Sequence, residues 1–266
     1  MNAGPIQIVV PMAGRGQRFR DAGYVTPKPL ITVDGCSLIE IVLANVTPTR
    51  AHRVIVCALA EHLVDGALES TLRHVAPDVE IVVVDAITDG PAATVELAAP
   101  LLDPNAPLMI ANSDQYVDID VDDYLDSMDG SDGSIMTFHR VDDPKWSYVQ
   151  YDATSRIVGV VEKVPVSDHA TVGIYTYGRA GEFLWAAAQM RARDIRTNGE
   201  IYVAPGYTLL AAERGLDLTT FDVSGRMHGL GVPSDLQAFV GDVRLRATEA
   251  VQRLRAAHQA ASGARR

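Results

Sequence analysis

The chain has 266 residues, of which 47% are hydrophobic, and it carries a net charge of −11 with a pI near 5.0. This composition supports a full hydrophobic core and argues against a basic nucleic-acid binder or a membrane-surface protein. We expect one α/β domain over residues 1–258, divided into halves at about 1–130 and 131–240, and a disordered tail at 259–266.

The first half alternates short apolar runs with stretches of helical spacing. The runs predict buried strands at Ile6–Pro11, Arg53–Leu59, Val79–Val84 and Leu108–Ala111. The stretches predict helices at Ser37–Val46, Glu61–His74 and Pro91–Leu102, with Ser37 as the cap of the first. This alternation predicts a mostly parallel, Rossmann-like sheet with helices on both faces.

The second half is richer in strands. Predicted strands cover Ser134–His139, Tyr148–Tyr151, Ile157–Glu162 and Ala170–Tyr177. Helices are predicted at Ala180–Arg191 and around Tyr207–Arg214. A long helix is predicted after Pro233, with Ser234 as its cap, running to about His258. We interpret the strands as an insertion that adds a second pocket to the first half.

The two cysteines, Cys36 and Cys57, offer neither a disulfide framework nor a metal-binding spacing. The N-terminus has no basic region, and its apolar run is too short for a signal or membrane segment. These features are typical of a cytoplasmic protein.

The loop after the first strand carries the clearest chemical signal. Gly14-x-Gly16 can expose converging backbone N–H groups, while Arg18 and Lys28 add positive charge suited to phosphate. The run is not a P-loop, because no Gly-Lys-Ser/Thr follows. It is not a dinucleotide fingerprint either, because the third glycine would fall at Phe19, where no helix is predicted.

Lysine is rare in this chain. Only three of the 23 basic residues are lysine: Lys28, Lys145 and Lys163. A chain so biased toward arginine uses lysine where a compact ammonium group is wanted. Two of the three lie in the segments with candidate site residues.

Ala13-Gly14-x-Gly16-x-Arg18, followed by Pro27-Lys28-Pro29-Leu30, resembles the signature loop of sugar-phosphate nucleotidyltransferases, the pyrophosphorylases that make nucleoside-diphosphate sugars. The similarity covers roughly residues 6–240. It continues through Asn112-Ser113-Asp114, Glu162-Lys163, Val172-Gly173-Ile174-Tyr175, Asn198-Gly199-Glu200 and Gly231-Val232-Pro233-x-Asp235-Leu236.

The resemblance implies a GT-A-like fold whose first half binds an NTP and whose second half binds a phosphorylated acceptor. Arg18 and Lys28 would be catalytic, and Asp114 would bind Mg²⁺ or Mn²⁺. The expected nucleotide-binding residues are Met12, Ala13, Gly14, Arg15, Gly16, Asp85 and Gly90. The expected acceptor-binding residues are Glu162, Lys163, Gly173 and Glu200.

Three positions depart from the family pattern. Gln17 replaces a usual Thr or Ser, and Asp85 stands where a base-reading Gln is usual, which would favour CTP or GTP if it reaches the base. Gly229 stands where the second metal carboxylate usually lies.

The expected reaction transfers NMP from an NTP to a sugar 1-phosphate and releases pyrophosphate. One alternative is a CTP-dependent cytidylyltransferase for a non-sugar phosphorylated or phosphonate metabolite. A second is a non-catalytic regulatory protein that binds nucleotide sugars, and a third is a related glycosyltransferase. The expected partners are small molecules, not nucleic acid or membrane. The sequence leaves open whether the chain forms a homo-oligomer.

Four aromatic or imidazole side chains complete the candidates. Trp146 and Tyr148 precede a predicted strand and suit either the core or the acceptor pocket. His139 suits a core or surface role. His228 is the more open case, because it lies next to Gly229.

Overall fold

Four of the apolar runs form the parallel centre of a nine-stranded sheet. The computed structural model describes residues 4–128, 130–239 and 241–264. In it, β1 (Ile6–Met12) lies between β4 (His52–Leu59) and β6 (Leu108–Ala111), and β5 (Glu80–Val84) pairs with β4. All these pairings are parallel, so the expected first-half sheet is confirmed.

The second half extends this sheet with five strands, of which four are joined by antiparallel pairings. These are β8 (Gly133–His139), β9 (Ser147–Tyr151), β10 (Ile157–Glu162), β11 (His169–Tyr177) and β12 (Leu218–Asp222). β11 joins the halves by pairing with β6, which gives the order β10-β9-β11-β6-β1-β4-β5. β8 also pairs with β11, and β12 runs parallel to β8. The sheet is therefore mixed, with a parallel core.

Two short ribbons lie beside the main sheet. β2 (Thr32–Val33) pairs with β3 (Cys36–Ser37), and β7 (Gln115–Val117) pairs with β13 (Met227–Gly229). The second ribbon carries the chain directly beyond Asp114, and its position matters for the site.

Helices cover both faces, as expected. The helices are α1 (Gln17–Asp21), α2 (Leu38–Val46), α3 (Ala67–Val75), α4 (Pro91–Glu96), α5 (Val121–Asp126), α6 (Ala180–Ala192), α7 (Gly206–Leu209), α8 (Pro233–Ala238) and α9 (Asp242–Ala264). Buried side chains of α2, α3 and α9 share one apolar core, and those of α4 and α6 share the other. At the start of α2, Ser37 and Glu40 form the reciprocal capping box, which confirms Ser37 as the cap.

Several predicted helices are shorter than expected. The run Glu61–His74 breaks at Gly66, whose φ of 73° is left-handed, and only Ala67–Val75 is α-helical. The run Pro91–Leu102 ends as an α-helix at Glu96 and becomes a 3₁₀ turn around Pro100, which lacks the N–H that a helix needs. The segment after Leu209 continues as a π-helical turn to Arg214.

The predictions for α1 and the C-terminal region were also partly wrong. A helix does begin at Gln17, where none was expected. The long helix after Pro233 is two helices, because Phe239 turns into the core and Gly241 has a φ of 66°; α8 is capped by Val232, not Ser234. α9 continues through 259–264, where a disordered tail was expected. The rest of that tail, 265–266, lies outside the described residues. Among the described residues, no helix combines the length and apolarity needed to cross a bilayer.

Candidate functional site

Two joined cavities lie where β1 and β6 end. We call them the loop cavity, of about 550 Å³, and the strand cavity, of about 360 Å³. Because β1 and β6 are parallel neighbours, the segments that follow them meet at one edge of the sheet, the usual ligand site of open α/β sheets. Both cavities are lined by Arg18, Pro91, Asn112, Asp114 and Gly231.

The glycine loop forms one wall of the loop cavity. Gly16 has a φ of 63° and precedes α1, and buried Phe19 anchors that helix. A Cβ on Gly16 would lie 2.8 Å from the Cβ of Lys28. Glycine is therefore needed at this position for two reasons: its backbone conformation is left-handed, and Lys28 approaches it closely.

Lys28 and Asp114 meet at the junction of the cavities. Lys28 Nζ donates to Asp114 Oδ2 over 2.9 Å, and the side chains are 15% and 35% exposed. The two residues are 86 positions apart in the chain, and the ends of β1 and β6 bring them together. Both side chains can reach solvent in the cavity. An entering polyanion could therefore replace Asp114 as the partner of Lys28, and an entering cation could replace Lys28 as the partner of Asp114.

Arg18 is a cationic side chain with no salt bridge or hydrogen bond to the described residues, and it lines both cavities. Its neighbours are engaged elsewhere: Arg15 pairs with Glu61 at 3.4 Å, and Gln17 donates to Asp21 over 2.6 Å. Arg15 does not line either cavity, while Met12, Ala13, Gly14, Gly16 and Gln17 line the loop cavity.

The opposite wall of the loop cavity comes from the segment before α4. Ile87, Thr88 and Gly90 line it, but Asp85 is exposed and lies outside both linings. A Cβ on Gly90 would lie 2.7 Å from the backbone of Ile201, so this glycine allows close packing between two segments. The structure thus brings Gly90, but not Asp85, to the loop cavity.

The strand cavity holds the expected acceptor residues Glu162, Lys163 and Gly173. Glu162 is buried, accepts a hydrogen bond from the Ser147 hydroxyl, and has its pKa raised by desolvation. Lys163 has a φ of 61°, which is uncommon for a residue other than glycine. Such strained residues concentrate at functional sites.

Lys163 is held by an aromatic residue that sequence analysis missed. Its Nζ donates to the Tyr202 hydroxyl over 2.6 Å, and that hydroxyl donates to Glu200. Tyr202 lines the strand cavity, whereas Glu200 lines the loop cavity and so does not lie with the other acceptor candidates. No sequence motif around Tyr202 identifies it as a site residue, because its hydrogen bond with Lys163 is formed only in the folded chain.

Gly173 lies in a β-bulge of β11 and has a φ of 94°. A Cβ there would clash with the Asn112 side-chain amide and lie 2.9 Å from Gln115 Oε1. The missing side chain therefore makes room for two amides, in addition to any space it leaves for a ligand. Gln115 was not among the predicted site residues, although it directly follows Asp114.

Gly229 faces a carboxylate supplied by another residue. A Cβ at Gly229 would lie 2.8 Å from Asp235 Oδ2, and that oxygen is 3.7 Å from Lys145 Nζ. Asp235 and Lys145 both line the strand cavity. All three lysines of the chain therefore line the two cavities, a stronger clustering than the two expected from sequence position.

The four aromatic and histidine candidates lie in different environments. Trp146 lines the strand cavity, with its ring edge-on to Phe138 and its Nε1 donating to Asp143 over 3.2 Å. Tyr148 is fully buried. His139 is exposed beside Asp168. His228 packs near Tyr116 and Phe239, outside both cavities, and burial lowers its pKa.

In a comparison with known protein families, residues 8–198 match the family described as nucleotidyl transferase. Those residues include the glycine loop, Lys28, Asp114, Lys163 and Gly173. No match was found among curated proteins.

Solved structures match over most of their length. A nucleoside-diphosphate-sugar pyrophosphorylase from Vibrio cholerae RC9 is 25% identical, with a TM-score of 0.70, and the match covers 87% of this chain and 98% of that one. A protein described as a glucose-1-phosphate thymidylyltransferase from Bacillus anthracis is 20% identical, with a TM-score of 0.73 and coverage of 90% and 95%. The inositol-1-phosphate CTP transferase from T. maritima is 16% identical, with a TM-score of 0.68 and coverage of 95% and 97%.

Proposed function

The chain belongs to the nucleotidyl transferase family, and we propose that it transfers NMP from an NTP to a sugar 1-phosphate and releases pyrophosphate. The loop cavity would take the NTP and the strand cavity the acceptor. The observation that carries this proposal is the placement of cations. Lys28, Lys145, Lys163 and Arg18 line two cavities that meet at Asp114, and Arg18 has no ionic partner among the described residues. Two phosphorylated ligands in contact need such a distribution of charge.

The reaction requires little from the protein beyond positioning the two substrates and neutralising their negative charge. An oxygen of the acceptor phosphate attacks the α-phosphorus, a new P–O bond forms, and the bond to pyrophosphate breaks. A phosphate monoester is already anionic at neutral pH, so no general base is needed. Lys28 and Arg18 would neutralise charge that builds on the reacting phosphates, and Lys163 would hold the acceptor phosphate.

Asp114 is the residue suited to hold a divalent cation. No cluster of three or more metal-ligating side chains occurs in the part of the chain that the structure describes. Mg²⁺, however, commonly binds one or two carboxylates plus substrate phosphates, and Asp114 lies at the junction where an NTP would supply those oxygens. When bound there, Mg²⁺ or Mn²⁺ would supply positive charge beside the triphosphate.

A cytidylyltransferase for a non-sugar phosphorylated acceptor is the second candidate. The observation that favours it is the Lys145–Asp235 pair in the strand cavity, beside Gly229, where the family resemblance leads us to expect a metal carboxylate. An acceptor pocket altered in this way suits an altered acceptor. Pyrophosphate release measured with sugar and non-sugar phosphates separates the two candidates.

Lys163→Ala is expected to raise the KM for the acceptor by about 10-fold or more, since a hydrogen bond to a charged group contributes about 1.5–3 kcal/mol. NTP binding should stay near normal, because Lys163 lines only the strand cavity. Steady-state kinetics give the KM for the acceptor, and separate calorimetric titrations of NTP and acceptor give the two dissociation constants. Lys163→Met keeps the apolar stem and serves as the matched variant. Weakened NTP binding with normal acceptor binding would reverse the assignment.

Asp85→Gln is expected to leave the preference among NTPs unchanged, because Asp85 is exposed and lies outside the loop cavity. Base selection would fall instead to the wall of Ile87, Thr88 and Gly90. Competition assays with CTP, GTP, UTP and dTTP on both proteins provide the measurement. A changed ranking in the variant would return the role of base reader to Asp85.

A further inference from the structure

Lys163 differs from the other two lysines in the partner of its ammonium group. Each of the other two lies beside a carboxylate, at 2.9 Å and 3.7 Å. Lys163 instead donates to the neutral hydroxyl of Tyr202 and forms no salt bridge with the described residues. An ammonium group has three N–H donors, so two remain for a ligand. The charge of Lys163 is therefore held in place without being neutralised, which suits a phosphate.

Tyr202 holds this ammonium group in two ways. Lys163 Nζ lies 2.6 Å from the hydroxyl oxygen and 4.4 Å from the centroid of the ring, the second being a cation–π contact. The backbone of Lys163 is constrained as well, since its φ is 61° and its N–H donates to Trp146 O over 3.1 Å. A lysine stem otherwise rotates freely, and fixing it before the ligand arrives lowers the entropic cost of binding.

Glu200 sets the direction of the hydrogen bond between Tyr202 and Lys163. The Tyr202 hydroxyl donates to the Glu200 carboxylate, and its lone pair accepts from Lys163. Burial raises the pKa of the Tyr202 phenol, and the hydrogen bond to Glu200 raises it further, so the hydroxyl keeps its proton. Donation to a carboxylate polarises the hydroxyl and makes its oxygen a stronger acceptor. The three groups therefore form one chain, with the phenol between the carboxylate and the ammonium group.

The segment that carries Glu200 and Tyr202 is anchored to the wall of the loop cavity. Between them, the Ile201 N–H donates to Asp89 O over 2.6 Å, and Ile201 O accepts from the Ala92 N–H over 3.0 Å. Glu200 is exposed, Ile201 buried and Tyr202 half-buried, so the first and third side chains lie on the same side of the chain. The backbone therefore holds the phenol and the carboxylate at defined positions between the two cavities.

We propose that Tyr202 and Glu200 are positioning residues for the acceptor phosphate: Tyr202 directs the ammonium group of Lys163 into the strand cavity, and Glu200 influences the acceptor only through Tyr202. This role rests on the proposed nucleotidyl transfer and goes beyond it. The family resemblance alone implies that Glu200 contacts the acceptor directly, whereas its place in the lining of the loop cavity and its hydrogen bond with Tyr202 favour an indirect effect.

Tyr202→Phe keeps the aromatic ring and removes the hydroxyl group. With the best pair of an NTP and a sugar 1-phosphate, kcat/KM for the acceptor should fall about 5-fold, mainly through KM, since one hydrogen bond is lost. The KM for NTP should not move. In a Lys163→Met background the same change should cost less than about 2-fold, because the ammonium group that it positions is gone. An equal loss in both backgrounds would reveal a merely structural hydroxyl and overturn the proposal.

Glu200→Gln is expected to lower kcat/KM for the acceptor about 2- to 3-fold, because an amide accepts a hydrogen bond more weakly than a carboxylate. In a Tyr202→Phe background this effect should vanish. The same loss with and without the hydroxyl would mean that Glu200 contacts the acceptor directly, and its positioning role would be wrong. Tyr151→Phe is the matched control, because Tyr151 is half-buried and lines neither cavity. If Tyr202→Phe fails to fold, as judged by its thermal melt, the effect of Glu200→Gln must vanish in Lys163→Met instead.

Lysine NMR tests the positioning role without turnover. Selective ¹³C labelling at Cε gives one signal for each of the three lysines, and Lys163→Met assigns the signal of Lys163. Inorganic phosphate should shift this signal with a midpoint about 5-fold lower in the wild type than in Tyr202→Phe. Equal midpoints, or no shift in the wild type, would contradict the role of Tyr202.

These measurements also separate the positioning role from the function on which it rests. If no pair of substrates releases pyrophosphate, the proposed function fails, and the phosphate titration alone decides the role of Tyr202. If pyrophosphate is released but neither the kinetics nor the titration responds to the loss of the hydroxyl, nucleotidyl transfer stands and the positioning role is wrong.

Discussion

Lys28→Ala is expected to lower kcat by at least about 10²-fold, because one preorganised cationic or donor group contributes about 2.7–4 kcal/mol where charge develops. Lys28 lines the loop cavity, and its ammonium group hydrogen-bonds Asp114 at the junction with the strand cavity. The side chain ends in the cavity rather than in the core, so its truncation should leave the fold intact. Single-turnover kinetics with saturating substrates measure the chemical step.

A lysine outside the site cannot serve as the control, because all three lysines line the cavities. The control is therefore a conservative substitution of Lys28 itself. Lys28→Arg keeps the charge but changes its shape, and it should recover only part of the rate. Circular dichroism and thermal melting of both variants report the fold. Turnover close to that of the wild type in Lys28→Ala would remove Lys28 from the reaction.

Asp114→Asn is expected to abolish measurable activity, a loss of at least about 10²-fold, because it replaces the carboxylate at the junction of the cavities with a neutral amide of the same shape. Mg²⁺ prefers charged carboxylate oxygens, so its affinity should fall. The variant also removes the anionic partner of Lys28. Activity should depend strictly on added Mg²⁺ or Mn²⁺ in the wild type.

Binding gives a readout independent of turnover. Electron paramagnetic resonance of Mn²⁺ with NTP present should show bound ion in the wild type and much less in Asp114→Asn. Asp78→Asn is the matched control, because Asp78 is exposed and lines neither cavity. Full activity of the wild type in excess EDTA would contradict the metal requirement and the role given to Asp114.

The central sheet could be predicted because its signals are local. Strands of four to eight apolar residues and the Ser37–Glu40 cap depend on near neighbours in the chain. The helix breaks at Gly66 and before Pro100 had local causes too, but periodicity alone does not weigh one glycine or proline against a helical pattern. The split between α8 and α9 depends on Phe239 entering the core, which is a tertiary effect.

The candidate site was predictable where a motif carries the chemistry and not where the fold assembles it. The glycine loop identified Arg18 and Lys28, but the contact of Lys28 with Asp114 spans 86 positions. Tyr202 gave no sequence signal, since it belongs to the site through its contact with Lys163, 39 positions away in the chain. Asp85 followed from a positional match alone, and the structure places it at the surface, outside both cavity linings.

Pyrophosphate release, measured over a grid of four NTPs and a panel of phosphorylated acceptors, tests the central claim most directly. The proposed function predicts release only when an NTP and a sugar 1-phosphate are both present, with one pair far above the rest and its signal lost in Lys28→Ala. Release with a non-sugar phosphate alone would favour the second candidate. No release from any pair, by a folded protein that still binds nucleotide sugars, would contradict catalysis and identify a binding protein.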